Sequence, residues 1–211
     1  ACKPKKLKIP NEKAEGVIYA TEFLKSVNLK EKMEIGEYIG IIGGGNAAID
    51  AARVAIRNRK CKKVTIIYRR TLTEMPAFKE EINAAIEEGI EILFLTSPLK
   101  IITEKNKVKG IECIRMKPGE IDNTGRRKPI PVKNSEFTIR IDTLIIAIGE
   151  EPDLSFLGSH SKIKITERNT IKIDKNTYLT DMKGVFAGGD VVTGPRTVIE
   201  AISAGKTAAY M

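Results

Sequence analysis

The sequence contains few of the residues from which metal sites and acid–base catalysts are usually built. It has three cysteines, one histidine and no tryptophan. Cys2, Cys61 and Cys113 lie far apart and form no CxxC pair, so we expect no redox dithiol, iron–sulfur cluster or zinc site within the chain, and we predict that Cys113 packs in a strand. The single histidine, His160, lies in a Gly-Ser-His-Ser loop, and one histidine argues against a His-based metal site or catalytic triad. We therefore predict no metal ligand in the chain.

Long apolar runs are also missing. None approaches the roughly 18 residues that a membrane-spanning helix needs. The start, Ala1-Cys2-Lys3-Pro4, lacks the apolar core of a signal peptide. We therefore expect a cytoplasmic protein that does not engage a membrane. Its 211 residues, 42% of them hydrophobic, are enough for one large domain or one and a half smaller ones.

Aromatic residues make up only 5% of the chain, whereas the net charge is +9. A basic chain raises nucleic-acid binding as an alternative function. The lysines are scattered, however, and the sequence offers neither a stacking platform nor a focused basic helix. We interpret the charge as a solvated, lysine-rich surface that steers acidic redox proteins or anionic cofactors, and we expect no nucleic acid partner.

Strand-like apolar runs alternate with helical patterns in the first half of the chain. The second helix is predicted to open at Pro76, a residue suited to a first helical position, and to end at Gly89. This alternation winds a parallel, Rossmann-like α/β sheet. The predicted elements are strands at 38–42, 64–68 and 90–95 and helices at 47–56 and from Pro76.

The flanking segments have weaker patterns. Residues 1–35 are predicted to be an inter-domain connection with a short amphipathic helix at 16–27. Residues 36–149 form the predicted dinucleotide-binding domain, in which an antiparallel β-meander, from Leu99 to Ile141, covers the sheet before a strand at 143–148. Residues 150–211 form a separate portion, with a strand at 184–187 and a closing helix from about Thr197.

A glycine turn joins the first strand of this pattern to its helix. Gly43, Gly45 and Ala48 fit G-x-G-x-x-[G/A], and we predict that the whole turn, Gly43-Gly44-Gly45-Asn46-Ala47-Ala48, binds a dinucleotide. The first glycine permits the tight turn, the second lets the backbone approach a pyrophosphate, and the alanine keeps the helix close to the strand. The alternative is an ordinary tight turn without a ligand.

The end of the second strand carries arginines where an acidic residue would bond the ribose of NAD. About 20 positions after Ala48 stands Tyr68, followed by Arg69 and Arg70. Two guanidinium groups attract a 2′-phosphate through charge-assisted hydrogen bonds, which favours NADPH. The alternative is that both arginines are solvated loop residues.

The chain combines the glycine turn, Tyr-Arg-Arg, Glu74-Met75-Pro76-Ala77, the Gly125-Arg126-Arg127 segment and the strand ending at Ile148-Gly149. By this combination it resembles the small (beta) subunit of NADPH-dependent glutamate synthase. More widely, it resembles FAD- and NAD(P)-binding flavoproteins of the pyridine nucleotide-disulfide oxidoreductase type. The resemblance implies a two-dinucleotide-domain flavoprotein oxidoreductase that passes electrons from NADPH to FAD and on to iron–sulfur centres. The cofactors carry this chemistry, so we name no catalytic residue, and we interpret Glu74 as a solvated loop carboxylate.

The end of the chain, Gly184-Val185-Phe186-Ala187-Gly188-Gly189-Asp190, resembles the segment with which such flavoproteins hold FAD. The resemblance implies that residues 150–211 are the C-terminal portion of an FAD-binding domain. It implies that Gly189 and Asp190 bind the ribityl or phosphate region and that the helix start at Thr197 and Val198 points amides at the flavin. It also implies a cofactor-binding position for Ile148 and Gly149. A plain turn before a helix is the alternative for Gly188-Gly189-Asp190.

One departure from the family pattern concerns FAD. The family has an earlier glycine turn for the ADP part of FAD, and this chain has none, so the FAD site is expected to be incomplete and the chain to be a fragment. The resemblance implies a large subunit or another redox protein as partner, and a homo-oligomer stays open. Two other functions stay open: a regulatory dinucleotide-binding module without hydride transfer, and an NAD(P)H:acceptor reductase of another thioredoxin-reductase-like branch. The missing CxxC argues against a disulfide substrate.

Overall fold

The computed structural model describes residues 2–122, 125–158 and 161–211, so His160 lies outside the described residues. The chain forms two compact units. The larger unit comprises residues 6–149, and the smaller unit comprises the N-terminus up to residue 5 together with residues 150–211.

The secondary structure is mixed α/β. In chain order the elements are β1 (Cys2–Pro4), β2 (Val17–Tyr19), α1 (Ala20–Asn28), β3 (Tyr38–Ile42), α2 (Asn46–Ile56), β4 (Lys63–Ile67), α3 (Lys79–Glu87), β5 (Glu91–Leu93), β6 (Thr96–Glu104), β7 (Lys107–Ile121), β8 (Arg127–Arg140), β9 (Thr143–Ile146), β10 (Glu150–Pro152), α4 (Asp190–Thr193) and α5 (Val198–Tyr210), with 3-10 turns at Leu72–Glu74 and Ser155–Leu157. No helix of the described residues is both long and apolar enough to cross a membrane.

The larger unit is built on a five-stranded sheet in the order β2-β9-β3-β4-β5. Every neighbouring pair in it is parallel. The run β3-α2-β4-α3-β5 is the predicted βαβαβ unit, and the predicted α/β fold is confirmed. Because parallel strands of this kind direct their carboxyl ends to one edge, the turns after β3, β4 and β9 share that edge of the sheet.

The two faces of this sheet are buried by different layers. Successive side chains of a strand point to opposite faces. Ile66 therefore packs in a cluster with α1, α2 and α3, whereas Ile67 packs in a second cluster with residues of β6 and β7. The second layer is an antiparallel sheet in the order β6-β7-β8, so the predicted meander covers the parallel sheet.

The meander strands are longer than predicted. β7 continues through Pro118 and Gly119 to Ile121, and β8 begins at Arg127, so that Asp122, Gly125 and Arg126 are the described residues between the two strands. Pro118 pairs with Pro129 in the ladder, which places prolines opposite one another in a region of irregular register. Cys113 lies buried in β7, as predicted, and burial raises the pKa of its thiol to about 12.

The N-terminal segment was predicted to be a connection with a helix at 16–27, and the structure differs. Val17–Tyr19 is the edge strand β2, parallel to β9, and only residues from Ala20 are helical. Phe23 of α1 is buried in the same cluster as α2. Residues 6–35 therefore complete the sheet and core of the larger unit. The pairing of β2 with β9 joins residues too far apart in the sequence for a local pattern to reveal it.

The second helix also begins later than predicted. Pro76 lies in a loop, and α3 begins at Lys79 after Phe78, whose backbone is extended. The amide of Ala77 donates to the carbonyl of Gly44 at 3.1 Å. That hydrogen bond holds the loop at the glycine turn, and the extended backbone at Phe78 keeps Pro76 and Ala77 outside the helix.

The smaller unit contains the antiparallel pair β1–β10 and the helices α4 and α5. The predicted strand at 184–187 is only an isolated bridge between Leu179 and Phe186 among the described residues. The closing helix begins where predicted, with Thr197 as its N-cap. No residue of α5 is buried, and its apolar residues Val198, Ile199 and Ile202 are more than half exposed.

Candidate functional site

The glycine turn between β3 and α2 begins with two glycines that the protein's own packing requires. Gly43 has φ +148°, and a Cβ there would lie 2.3 Å from the carbonyl oxygen of Ala147. A Cβ on Gly44 would lie 2.5 Å from Cε2 of the Tyr68 ring. Both contacts are far below van der Waals distance. The absence of a side chain at these positions is therefore explained by the close approach of β9 and of the residue after β4.

Gly45 has no such explanation. It is the N-cap of α2, with φ −91° and ψ 177°, an extended conformation open to any residue. A Cβ built on it meets no protein atom within 4 Å. The fold thus leaves open space over Gly45, and this space lies where a dinucleotide pyrophosphate would approach the backbone.

The first turn of α2 borders this open space with unpaired donors. The helix has no side-chain N-cap hydrogen bond. Among the described residues, the amides of Asn46 and Ala47 have no intrahelical acceptor, as in any first helical turn. These amides and the positive end of the 11-residue helix favour an anion. Ala48 is completely buried and holds the helix against the sheet.

The side chain of Asn46 supports the loop beside the turn. Its Oδ1 accepts a hydrogen bond from the amide of Phe78 at 3.0 Å. Together with the Ala77–Gly44 hydrogen bond, this contact fastens the loop before α3 to two residues of the glycine turn. Asn46 therefore has a structural role in the protein, in addition to the cofactor contact predicted for it.

The three residues after β4, Tyr68, Arg69 and Arg70, have different environments. Tyr68 is buried, and its hydroxyl donates to the carbonyl of Glu74 at 2.7 Å. Arg69 is exposed, and among the described residues no acceptor lies within hydrogen-bond distance of its guanidinium. Partial desolvation, followed by the positive charges of Arg70 and Arg126, lowers the pKa of Arg69. Tyr68, Arg69 and Arg70 thus follow β4 at the place where NAD-binding sites have a carboxylate for the ribose.

Arg70 has a different environment from its neighbour. Its side chain is only 8% exposed, and its Nε donates to the carbonyl of Arg127 at 2.8 Å. Its Nη2 forms an ion pair with Asp122 at 3.1 Å. Two of the three guanidinium nitrogens are therefore already bonded to acceptors within the protein. The 2′-phosphate contact predicted for Arg70 stays a prediction, and the structure adds an internal role.

Glu74 belongs to a tight turn. Its carboxylate accepts hydrogen bonds from the backbone amide and hydroxyl of Thr71, at 3.0 and 2.5 Å, which closes a capping box. The Thr71 hydroxyl, with smaller contributions from backbone amides, lowers the pKa of Glu74. The carboxylate therefore stays ionised and engaged, which does not suit an acid–base catalyst.

The remaining predicted residues of the larger unit lie after β9. Ile148 is half-buried and packs against the cluster shared by the sheet and the meander. Gly149 is exposed, has φ +93° and would place a Cβ in open space. Both follow a strand whose carboxyl end lies at the same edge as the glycine turn.

In the smaller unit, the predicted FAD residues cluster around the start of α5. Gly189 has φ +73° and is buried against Ala201, which explains a glycine there. Asp190 accepts a hydrogen bond from the amide of Arg196 at 3.2 Å. Thr197 forms a capping box with Glu200, whose pKa falls to about 2 mainly because the Thr197 hydroxyl and amide donate to it. Val198, the first residue of the helix, is 74% exposed.

The comparisons identify proteins to which the chain is similar. The family model described as "Pyridine nucleotide-disulphide oxidoreductase" matches residues 2–205. The chain is 44% identical over 195 residues to the NADP(+)-dependent formate dehydrogenase subunit beta of Moorella thermoacetica, covering 92% of this chain and 27% of the relative. It is 38% identical over 209 residues to the NADPH-Fe(3+) oxidoreductase subunit beta of Geobacter sulfurreducens, covering 89% and 31%.

The predicted resemblance to the glutamate synthase small subunit is confirmed. The chain is 34% identical over 220 residues to the glutamate synthase [NADPH] small chain of Azospirillum brasilense, covering 98% of this chain and 45% of the relative. It therefore spans less than half the length of each of these three relatives.

Solved structures match the fold over the whole chain. Thioredoxin reductase of T. acidophilum matches with a TM-score of 0.74 and 25% identity, covering 100% of this chain and 62% of that protein. FprA of Mycobacterium tuberculosis in complex with NADPH matches with a TM-score of 0.73, covering 98% and 60%; at 18% identity it supports the fold alone.

Proposed function

The chain belongs to the pyridine nucleotide-disulphide oxidoreductase family, and we propose that its larger unit is the NADPH-binding part of a flavoprotein oxidoreductase. The observation that carries the proposal is the open space over Gly45, bordered by the first-turn amides of α2. Packing accounts for Gly43 and Gly44, whereas the open space over Gly45 leaves room for a pyrophosphate to approach the backbone.

The arginines after β4 support NADPH over NADH. An exposed guanidinium without an internal acceptor stands at Arg69, and two neighbouring arginines repel its charge. A phosphate dianion bound there would relieve that repulsion and accept charge-assisted hydrogen bonds. We therefore assign the 2′-phosphate contact first to Arg69. The names of the three relatives specify NADPH or NADP(+), which agrees with this assignment.

FAD is the second cofactor that we propose for the complete protein. The smaller unit offers residues for one part of it only: Gly189, Asp190 and the start of α5. The exposed apolar side chains of Val198 and Ile199 fit a surface that further chain or a flavin covers. FAD, when bound, accepts a hydride equivalent from NADPH and supplies electrons to an acceptor. In the complete protein we propose iron–sulfur centres as that acceptor and a larger redox subunit as partner.

The protein's own contribution in this proposal is orientation. The glycine turn and α2 hold the pyrophosphate, Arg69 holds the adenosine end, and the loop before α3 fixes the turn through Ala77 and Asn46. No side chain is assigned a proton-transfer role, because Glu74 is already engaged by Thr71.

The test is a calorimetric titration of the protein with NADPH and with NADH. We expect tighter binding of NADPH, and we expect Arg69→Ala to weaken NADPH selectively by about 1.5–3 kcal/mol, the range of a hydrogen bond to a charged group. Arg59→Ala, which removes an exposed arginine beyond the far end of α2, is the matched control and should change neither affinity. Equal losses for NADPH and NADH in Arg69→Ala would contradict the 2′-phosphate assignment.

A further inference from the structure

Arg70 fastens the tip of the β7–β8 hairpin to the end of β4. We define the hairpin tip as Asp122 and residues 125–127, the described residues between the two strands and the first residue of β8. The Arg70 guanidinium donates to the carbonyl of Arg127 at 2.8 Å and pairs with Asp122 at 3.1 Å. The side chains of this pair are 8% and 18% exposed. A buried, forked contact of this kind fixes position more effectively than a surface ion pair.

The hairpin tip is also ordered internally. The amide of Asp122 donates to the carbonyl of Arg126 at 2.7 Å, and the amide of Gly125 donates to the carbonyl of Asp122 at 2.9 Å. The Asp122 carboxylate accepts from the amide of Arg126 at 3.3 Å. The same carboxylate thus binds Arg70 on one side and the backbone of Arg126 on the other, which ties the place of Arg126 to Arg70.

This arrangement places Arg126 near the residues after β4. Burial and the neighbouring positive charges of Arg70 and Arg126 lower the pKa of Arg69, and the charge of Arg126 partly offsets the rise that burial causes in the pKa of Tyr68. A cleft of about 500 Å³ runs between the hairpin tip and the loop before α3. Its lining comprises Thr73, Glu74, Met75, Pro76, Ile121, Gly125, Arg126 and Arg127.

Arginines surround this cleft. The guanidinium groups of Arg69, Arg70, Arg126 and Arg127 lie near one another and near the carboxylates of Glu74 and Asp122. A phosphomonoester carries about −1.5 to −2 charges at neutral pH and is attracted by such a cluster, whereas the bare ribose hydroxyl of NADH carries no charge.

We propose that the hairpin tip is a wall of the dinucleotide site, in which Arg126 contacts the 2′-phosphate of NADPH and Arg70 is the residue that positions it. The inference rests on the proposed function and deepens it, because it assigns NADPH selectivity to two separate segments of the chain. One segment follows β4, and the other is the hairpin tip.

The first experiment measures the Kd of NADPH and NADH for the intact protein and for Arg126→Ala. We expect the Kd of NADPH to rise about tenfold or more and the Kd of NADH to change less than about twofold. Lys133→Ala removes a positive charge from β8 away from the hairpin tip and should leave both constants unchanged. If Arg126→Ala unfolds, Arg126→Gln, which keeps most of the side-chain length without the charge, takes its place.

The second experiment tests the positioning role of Arg70 with a double-mutant cycle. If Arg70 acts through the hairpin tip, the double variant Arg70→Ala/Arg126→Ala binds NADPH no more weakly than Arg126→Ala alone. Arg70→Lys should fail to restore selectivity, since one ammonium group does not reproduce the forked contact with Asp122 and the Arg127 carbonyl. Multiplicative losses in the double variant would show that Arg70 acts independently, which would overturn the positioning role.

The outcomes separate this inference from the proposed function. Wild-type protein that binds neither nucleotide, or binds both equally, would contradict the proposed function itself. Wild-type protein that prefers NADPH, together with an Arg126→Ala variant that keeps the full preference, would overturn the role of the hairpin tip and leave the proposed function standing. A parallel loss of NADH affinity in Arg126→Ala would likewise overturn it.

Discussion

The substitution Gly45→Val is expected to abolish NADPH binding while leaving the stability of the fold unchanged. The residue is extended, at φ −91° and ψ 177°, and its Cβ position is empty to 4 Å. A valine there is therefore compatible with the fold. Its side chain, however, would occupy the space over the first turn of α2, where the pyrophosphate is expected to lie.

The expected magnitudes differ for stability and affinity. Replacing glycine restricts the unfolded chain and stabilises the protein by about 0.4–1 kcal/mol. Valine is a poorer N-cap than glycine, which offsets this gain by about 1 kcal/mol. The net change in unfolding free energy is therefore close to zero. Loss of two charge-assisted amide contacts to the pyrophosphate would remove about 3–6 kcal/mol of binding, at 1.5–3 kcal/mol each.

The assay pairs thermal unfolding with calorimetric titration of NADPH. Gly44→Ala is the matched control from the same turn, because its Cβ would lie 2.5 Å from the Tyr68 ring. That variant should lower the unfolding temperature, whereas Gly45→Val should not. A folded Gly45→Val protein that binds NADPH with wild-type affinity would refute the reasoning and show that the ligand lies elsewhere.

Two further predictions concern the smaller unit. The 211-residue chain, purified by itself, should carry far less than one equivalent of FAD, since it offers one glycine turn and only part of a flavin site. Flavin absorbance equivalent to one FAD per chain would contradict this prediction. The Thr197–Glu200 capping box should stabilise the start of α5 fully above pH 4.5 and lose that contribution as the pH falls toward about 2, because the pKa of Glu200 is lowered in the folded protein. Glu200→Gln should remove this part of the acid-unfolding profile, and identical profiles for the variant and the wild type would exclude the capping contribution.

The sequence by itself determined the elements whose signals are local. The apolar run at Tyr38–Ile42, the glycines after it and the alanine-rich helix predicted a strand, turn and helix almost to the residue. The same holds for the helix start at Thr197, where a capping residue precedes an apolar pattern. Such signals depend on backbone conformation and on spacing over a few residues, so a single sequence is sufficient to read them.

Only the tertiary structure decided the roles that depend on distant partners. Arg69 and Arg70 are adjacent and identical in the sequence, yet one is exposed and the other is paired with Asp122, 52 residues away. Val17–Tyr19 is a strand because it pairs with β9, and Pro76 lies in a loop that contacts the glycine turn and ends in the extended backbone of Phe78. Burial and long-range pairing set the free energy of these arrangements, and no local spacing encodes which partner will be close.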